Sequence, residues 1–206
     1  EEISSYPNIA SQFAYRKDLI LSELKNAGID IATIDAIVGR GGVIKPIESG
    51  IYEVNAAMLH DLEHPVMGEH ASNLGGLISH NIAAELGDKV KAYIADPVVV
   101  DEMDPIARIS GHPAIQRLSI FHALNQKAIA RTYAQEAGRK YEDLNLIVAH
   151  MGGGISVSAH QKGRVIDTNN ALDGEGAFSP ERSGSLPTGA LVNLCFSGQY
   201  TKEEIK

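Results

Sequence analysis

Apolar positions that recur every three to four residues predict five helices along the chain. Glycines follow several of these patterns and mark their C-terminal ends, because glycine readily adopts the left-handed conformation found there. Asn55 is a suitable N-cap for the second helix, since its side chain can accept a hydrogen bond from the first turn. The predicted helices cover residues 13–27, 56–62, 73–86 and 115–137, and one that begins near Pro187.

Short apolar or alternating runs between these helices predict strands. The runs cover residues 34–38, 51–54, 90–95, 144–149, 155–160 and 164–167. The first of them is apolar almost throughout, which predicts a buried strand. Helices and strands alternate along the sequence, and this order indicates an α/β fold. The polar stretch 139–143 could be a hinge, so we predict one domain over residues 1–142 and the beginning of a second over residues 143–206.

The composition is typical of a globular protein and narrows the possible partners. The 206 residues are 44% hydrophobic and 21% charged, and the formal net charge is −8. Without a cluster of Lys or Arg, neither nucleic acid nor an anionic membrane is an expected partner. The one cysteine, Cys195, excludes an internal disulfide and suits a reducing cytoplasm. We expect it to be a small buried hydrophobic residue.

The two ends of the sequence are unusual. The chain begins at Glu1 without an initiator methionine and ends with residues 201–206, which resemble the first turn of an unfinished helix. We therefore expect the sequence to be a segment of a longer protein. No signal peptide or membrane-length apolar stretch is apparent in it.

A run of three glycines, residues 152–154, joins two predicted strands. Because these positions carry no Cβ, their backbone N–H groups can approach an anion closely. A later loop, residues 173–184, contains Arg182, whose guanidinium can bind two phosphoryl oxygens at once. The combination indicates a phosphate-binding site, with a plain β-hairpin as the alternative.

Three further candidates lie at the predicted carboxyl ends of strands, where ligands gather in α/β sheets. These are Arg40, Asp96 and His150. Arg40 lies between glycines and could instead be an ordinary surface arginine. Asp96 could hold Mg²⁺ or its water ligands, because magnesium takes only one or two protein carboxylates, or it could cap a turn.

Two more of the eight histidines are candidates for the site. His70 precedes the helix at residue 73, where N–H groups favour anions, and His122 follows Phe121 where a helix enters or turns. Taken singly, each is more often a packing residue than a catalytic one. Apart from His150 in the glycine loop, the remaining histidines are treated as packing residues. They are His60, His64, His80, His112 and His160.

Taken together, seven motifs resemble those of the acetate kinase-like acyl-phosphate kinases, and within that family the members that act on butyrate. The resemblance covers essentially all of the chain. The motifs, in order, are VGRGG (38–42), GEHASNLG (68–75), ADPVVVDE (95–102), SIFHALNQ (119–126), AHMGGG (149–154), NALDGEG (170–176) and SPERSG (179–184).

This resemblance implies a two-domain fold of the actin, hexokinase and Hsp70 type, with the active site in the cleft between the domains. It implies reversible transfer of a phosphoryl group between ATP and a short-chain carboxylic acid, butyrate or a branched-chain acid. The products would be an acyl phosphate and ADP, the reaction would require Mg²⁺, and the intact protein would be a homo-oligomer.

The resemblance also implies a role for each candidate residue. Arg182 and His122 would be catalytic, Arg182 by stabilising the transferring phosphoryl group and His122 by a hydrogen bond to it. Arg40 and His70 would contact the substrate, although the equivalence of Arg40 could be shifted by a few residues. Asp96 would be associated with the metal. The nucleotide phosphates would be bound by His150, Gly152, Gly153 and Gly154.

Some family features are absent from the sequence. Family members begin with a strand and a phosphate turn, and continue beyond this segment with an adenosine-binding glycine motif and a glutamate linked to the metal. We therefore expect this segment alone to be inactive and to bind ATP poorly. The competing interpretation is an actin-like nucleotide-binding or assembly protein without catalysis. Arg182 and His122 favour the kinase, because a pure nucleotide binder needs no group directed at a phosphoryl acceptor.

Overall fold

The computed structural model describes residues 3–64, 68 and 70–205. Glu69 of the second motif, the terminal residues Glu1, Glu2 and Lys206, and residues 65–67 lie outside that description. In the described part, the chain forms two three-stranded sheets and six α-helices.

The first sheet has the strand order β1-β3-β2. Strand β1 runs parallel to β3, whereas β2 is antiparallel to it. The register pairs Arg40 at the end of β1 with Ala95 at the end of β3. Arg40 and Asp96, the residue after Ala95, therefore lie at the same edge of the sheet. The strands are β1 (Ala36–Arg40), β2 (Ile51–Glu53) and β3 (Lys91–Ala95).

Three helices accompany this sheet, namely α1 (Phe13–Asn26), α2 (Ala56–Glu63) and α3 (Asn73–Leu86). Helix α3 packs on β1 and β3, and α1 packs on α3. Gly39 of β1 and Gly75 of α3 face each other so closely that a Cβ on Gly39 would collide with the Gly75 carbonyl. This approach brings the start of α3, and with it His70, toward the strand end that carries Arg40.

The second sheet is antiparallel, with the strand order β4-β5-β6. Its strands are β4 (Asn145–Met151), β5 (Ile155–Gln161) and β6 (Arg164–Thr168). Helix α4 (Ala123–Glu136) packs against β4. The core there consists of Ala130, Ala134, Tyr141 and Leu144. Two helices follow the sheet, α5 (Thr188–Cys195) and α6 (Lys202–Ile205).

Most of the predicted elements are confirmed. The helix predicted at 73–86 is α3, and the one at 13–27 is α1, followed by Gly28 at φ +70°. Asn55 caps α2, because its Oδ1 accepts a hydrogen bond of 3.0 Å from the backbone N–H of Met58. The two strands around the glycine run form the expected hairpin.

The prediction that a helix starts at residue 115 is wrong, because α4 begins at Ala123. Long-range contacts hold the preceding segment outside the helix. The Arg117 guanidinium donates to Asp167 at 2.9 Å and to the Thr168 carbonyl at 2.9 Å. Ser119 Oγ donates to the Val100 carbonyl at 2.6 Å. These interactions with distant residues outweigh the helical periodicity of the local sequence.

Two predictions of burial are also wrong. Strand β1 is at the edge of its sheet, and Val38 is 59% exposed although the apolar run predicted a buried strand. Cys195 is exposed rather than buried. Every residue of α5 is exposed or half-buried, so its apolar side chains do not enter either described core.

The division into residues 1–142 and 143–206 stays a prediction, and the contacts of the segment after Val100 bear on it. Asp104 donates its N–H to the Ile166 carbonyl at 3.0 Å, and Glu102 accepts from the Val165 N–H at 2.8 Å. Helix α4 also packs on β4. We propose that the division falls near Val100, which would keep these contacts within one unit.

Among the described residues, none of the helices combines the length and the apolar composition needed to cross a membrane.

Candidate functional site

A cavity of about 190 Å³ lies where the first sheet and its helices meet the second sheet. Arg40 and His70 enter it from the first half, and His122, Gly154 and Arg182 enter it from the second. The rest of the wall is formed by apolar side chains, among them Val98, Phe121 and Leu172, and by the acidic residue Glu181. The structure therefore brings five predicted site residues, distant in sequence, into one cavity between the two halves.

The groups that line the cavity come from the ends of elements and from the loops between them. Arg40 is the last residue of β1, and His122 directly precedes α4. Gly154 is in the turn between β4 and β5, which is closed by a 3.1 Å hydrogen bond from the Gly152 N–H to the Gly154 carbonyl. Arg182 lies in the loop after β6.

The glycine turn lies directly against the other walls of the site. A Cβ on Gly154 would be 3.3 Å from the His122 ring, and a Cβ on Gly153 would be 2.9 Å from the Glu181 carboxylate. Ser179 Oγ also donates to the Gly153 carbonyl at 2.6 Å. Side chains at these positions would fill the space through which an anion could reach the backbone N–H groups.

The rings of His122 and His150 are stacked, with centroids 3.6 Å apart and planes 8° from parallel. Burial is the main reason why the pKa of His122 falls to about 4, and the positive charges of His150, Arg40, His70 and Arg182 lower it further. Burial and Arg40 also lower the pKa of His150. His122 is therefore a neutral imidazole at pH 7.

His70 is held by the residue that opens the turn into α3. Its Nδ1 accepts a hydrogen bond from the Ser72 backbone N–H at 3.2 Å and lies 2.7 Å from Ser72 Oγ. Burial lowers the pKa of His70, and the charges of Arg40 and Arg182 contribute in the same direction. A neutral ring whose Nδ1 accepts must carry its proton on Nε2, so His70 is a second neutral donor at the cavity.

In the described structure, the Arg182 guanidinium forms hydrogen bonds only with the neighbouring residue, Glu181. Its Nη1 donates to the Glu181 carbonyl at 2.8 Å and lies 3.4 Å from the Glu181 carboxylate. An ion pair of this kind, with the Glu181 side chain 66% exposed, contributes little to stability. Arg182 can therefore exchange this partner for an anion in the cavity at small cost.

Asp96 lies beside the cavity with its carboxylate already engaged. Oδ1 accepts from Ser49 Oγ at 2.6 Å and from the Gly50 N–H at 2.9 Å, while Oδ2 accepts from Arg131 at 3.1 Å. These partners are all distant in sequence, so the carboxylate does not form the local turn cap that the sequence offered as the alternative for Asp96. Its backbone has a φ of +35°.

The donor set of the described residues fits a phosphoryl group better than it fits a metal ion. Two arginines, two histidines and Gly154 of the glycine turn line the cavity, whereas no group of three or more His, Cys, Asp or Glu suited to a metal occurs in residues 3–64, 68 and 70–205. Mg²⁺ that enters with a nucleotide could keep water and phosphate oxygens as its main ligands. The metal role of Asp96 stays a prediction.

Sequence reasoning missed Ser156, whose side chain contacts His122, and Gln126, whose side chain binds Ser156. Ser156 Oγ lies 2.8 Å from His122 Nδ1, and Gln126 Nε2 donates to the same Ser156 Oγ at 2.8 Å. The available signal was the row of polar residues at every second position of β5, which includes His160 and points into the interior. His160, treated as a packing residue, is buried and hydrogen-bonded on both ring nitrogens.

His160 should make the stability of the protein depend on pH. Burial lowers its pKa to about 4, Lys127 contributes to the decrease, and Glu102 partly opposes it. Because the unfolded chain binds this proton near pH 6.5 and the folded chain does not, stability should fall as the pH falls from about 6.5 toward 4. Between pH 7 and pH 5 we expect His160 to account for a loss of about 2 kcal/mol.

Urea unfolding at the two pH values measures this loss, with H160Q as the comparison variant. Glutamine does not titrate, so the loss should be smaller in the variant by about the same amount. An equal loss in both proteins would contradict the assignment to His160.

Comparison with known proteins agrees with the motifs. Residues 112–206 match the family model described as the Acetokinase family. Over 205 residues, the chain is 64% identical to butyrate kinase 2 and 62% identical to butyrate kinase 1 of Clostridium acetobutylicum. The aligned region is 100% of this chain and 57% of each relative. The chain thus spans little more than half the length of these relatives.

Solved structures share the fold. The acetate kinase of Porphyromonas gingivalis superposes with a TM-score of 0.76 at 21% identity, over 91% of this chain and 50% of the other. A propionate kinase from Francisella tularensis gives a TM-score of 0.68 at 20% identity, with 91% and 50% coverage. The resemblance to the acetate kinase-like family and the predicted α/β, actin- and hexokinase-like fold are confirmed.

Proposed function

We propose that the intact protein transfers a phosphoryl group reversibly between ATP and a short-chain carboxylic acid. The similarity to butyrate kinases, which extends over the whole of this chain, supports the proposal. Butyrate or a branched-chain acid would be the acceptor, and the products would be an acyl phosphate and ADP. The observation that carries the proposal is the convergence of Arg40, His70, His122 and Arg182 with the Gly154 turn on one cavity.

The chemistry requires no general base. A carboxylic acid is ionised at pH 7, so a carboxylate oxygen can attack the γ-phosphorus directly. The new bond between the carboxylate oxygen and phosphorus forms as the bond from phosphorus to the β,γ-bridging oxygen breaks, and ADP leaves with that electron pair. Catalysis then consists of alignment and of stabilising the charge on the transferring group.

The residues of the cavity can divide these tasks. Arg182 supplies a planar cationic donor, and His122 supplies a neutral N–H. The N–H groups of Gly153 and Gly154, together with His150, would hold the nucleotide phosphates, while the Gly152 N–H closes the turn. Arg40 and His70, on the opposite wall, would contact the acid or the transferred phosphoryl group. Mg²⁺ bound to the nucleotide would reduce the charge repulsion between phosphates and the attacking carboxylate, and Asp96 remains the candidate to orient it.

Purified intact protein assayed with a graded panel of straight and branched acids tests the proposal. The apolar wall formed by Val98, Phe121 and Leu172 predicts the highest kcat/KM for short aliphatic acids. Because one methylene group is worth about 1–3 kcal/mol in an apolar pocket, adjacent chain lengths should differ by roughly 10- to 200-fold at most. A preference for dicarboxylates or sugars would contradict the proposal.

The glycine turn gives a more local prediction. In the intact protein, G154A should lower kcat by about tenfold, because the added methyl group lies 3.3 Å from the His122 ring and displaces it from the reacting group. ADP formation at saturating acid measures the effect. G189A is the matched control, because a Cβ at Gly189 meets no atom within 4 Å. Full activity in G154A would contradict the placement of the phosphoryl group beside this turn.

Two broader features belong to the same proposal. We propose a cytoplasmic protein, supported by a single cysteine whose exposed thiol would persist in a reducing compartment. We also propose a homo-oligomer for the intact protein, which rests on its likeness to the family alone.

A further inference from the structure

Five side chains form a continuous row of hydrogen bonds from the interior of the second sheet to the cavity. Tyr141 Oη lies 2.6 Å from His160 Nδ1, and His160 Nε2 lies 3.0 Å from Gln126 Oε1. Gln126 Nε2 lies 2.8 Å from Ser156 Oγ, which lies 2.8 Å from His122 Nδ1. The four residues behind His122 are all buried, Gln126 and Ser156 completely.

The direction of the bond at Ser156 follows from the number of hydrogens available. Its Oγ accepts from Gln126 Nε2 at 2.8 Å and from the backbone N–H of His122 at 3.3 Å. A hydroxyl group has two lone pairs and one hydrogen. With both lone pairs engaged, the hydroxyl hydrogen of Ser156 must point to His122 Nδ1, which therefore accepts.

The orientation of the Gln126 amide is fixed independently. Its Nε2 also donates at 3.0 Å to the backbone carbonyl of Ser156, which can only accept. Gln126 Oε1 must then accept from His160 Nε2, and this leaves His160 Nδ1 to accept from the Tyr141 hydroxyl. Every bond in the row donates toward the cavity.

The row ends on the reacting side of His122. With Nδ1 occupied as an acceptor, the neutral ring carries its proton on Nε2. This atom faces the glycine turn, since a Cβ on Gly154 would lie 3.5 Å from it. Stacking on His150 restricts rotation of the ring as well.

We propose that Ser156, Gln126, His160 and Tyr141 are positioning residues that fix His122 as the Nε2–H tautomer, with its donor directed at the phosphoryl group beside Gly154. The contact with phosphoryl rests on the proposed function, whereas the tautomer does not. None of the four residues touches a substrate. They act through His122, whose N–H is directed into the cavity before the substrate arrives.

Two variants of the intact protein test the proposal by activity. S156A removes the hydroxyl that donates to Nδ1, and we expect kcat to fall by about tenfold with little change in KM for ATP. S158A is the matched control, because Ser158 is equally buried on the same face of β5 but bonds to Thr168 at 2.7 Å, outside the row. Equal kcat values for S156A and S158A would overturn the proposal.

Histidine-selective ¹⁵N NMR of the intact protein tests the tautomer without any assay of activity. The wild-type long-range ¹H–¹⁵N correlations of His122, identified by the signal lost in H122Q, should show the proton on Nε2. In Q126E the new carboxylate can only accept, so Ser156 should donate to it and the His122 proton should move to Nδ1. A wild-type Nδ1 proton would overturn the relay, as would an Nε2 proton retained in folded Q126E at a pH where the new carboxyl group is ionised. If Q126E does not fold, the wild-type tautomer and the kcat of S156A together test the proposal.

The Nε2 tautomer in a protein without acid-dependent ADP formation would uphold the relay and reject the proposed function.

Discussion

Replacing Arg182 with alanine in the intact protein should lower kcat by about a thousandfold or more while the protein stays folded. A cationic fork that stabilises a transferring phosphoryl group makes its strongest contacts in the transition state, so its loss appears in kcat rather than in substrate binding. The folded state should tolerate the change, because the Arg182 hydrogen bonds go to the exposed neighbour Glu181. Loss of such an exposed pair costs about 0–1 kcal/mol.

The measurement is ADP formation at saturating ATP and acid, with thermal unfolding followed in parallel. R139A is the control, because Arg139 is exposed, bonds to the Asp143 carbonyl at 3.1 Å and does not line the cavity. R182K should recover only part of the rate, since lysine keeps the charge but not the fork. An unchanged rate in R182A would remove the central residue of the account and favour the non-catalytic nucleotide-binding interpretation.

Replacing His122 with alanine should lower kcat by about a hundredfold, the effect of losing one fixed donor to a developing negative charge. Burial lowers the pKa of His122 to about 4, and the charges of His150, Arg40, His70 and Arg182 add to the decrease. His122 therefore stays neutral as the pH falls from 8 to 6. The wild-type pH profile of kcat should show no change attributable to His122 in that range.

The pH profiles of kcat for the wild type and for H122A test this prediction. H122Q should retain part of the rate, because its amide can donate where the imidazole N–H did. H80A is the control, since His80 is exposed on α3 and outside this cavity. A wild-type transition near pH 6.5 that disappears in H122A would show that the ring titrates in the working range and would contradict the neutral-donor role.

Elements with strong local signals could be predicted from the sequence. Helices α1 and α3 end at glycines with positive φ, and Asn55 caps α2, so their bounds depend on residues within one turn. The β4–β5 hairpin was equally clear, because alternating strands flank a glycine turn. The start of α4 was not predictable in this way, since it depends on Arg117, whose guanidinium binds Asp167, Thr168 and Glu175, each 50 residues or more away.

In the site, too, positions that depend on local sequence could be predicted, whereas contacts between distant residues could not. The position of Arg40 follows from the rule that ligand-binding groups lie at the carboxyl ends of strands. The partners of the site residues do not follow from any such rule. Ser156 reaches His122 across 34 positions, and Arg131 reaches Asp96 across 35. The role of a polar residue in a strand can be assigned only when the fold shows which side chain it contacts.

A crystal structure of the intact protein with ADP, aluminium fluoride and butyrate tests the central claim most directly, because the planar fluoride occupies the position of the transferring phosphoryl group. We expect the aluminium fluoride to lie over the Gly153–Gly154 turn, within hydrogen-bond distance of the Arg182 guanidinium and His122 Nε2, with the butyrate carboxylate in line on the far side. Aluminium fluoride bound elsewhere, out of contact with both Arg182 and His122, would contradict the proposed roles of these two residues.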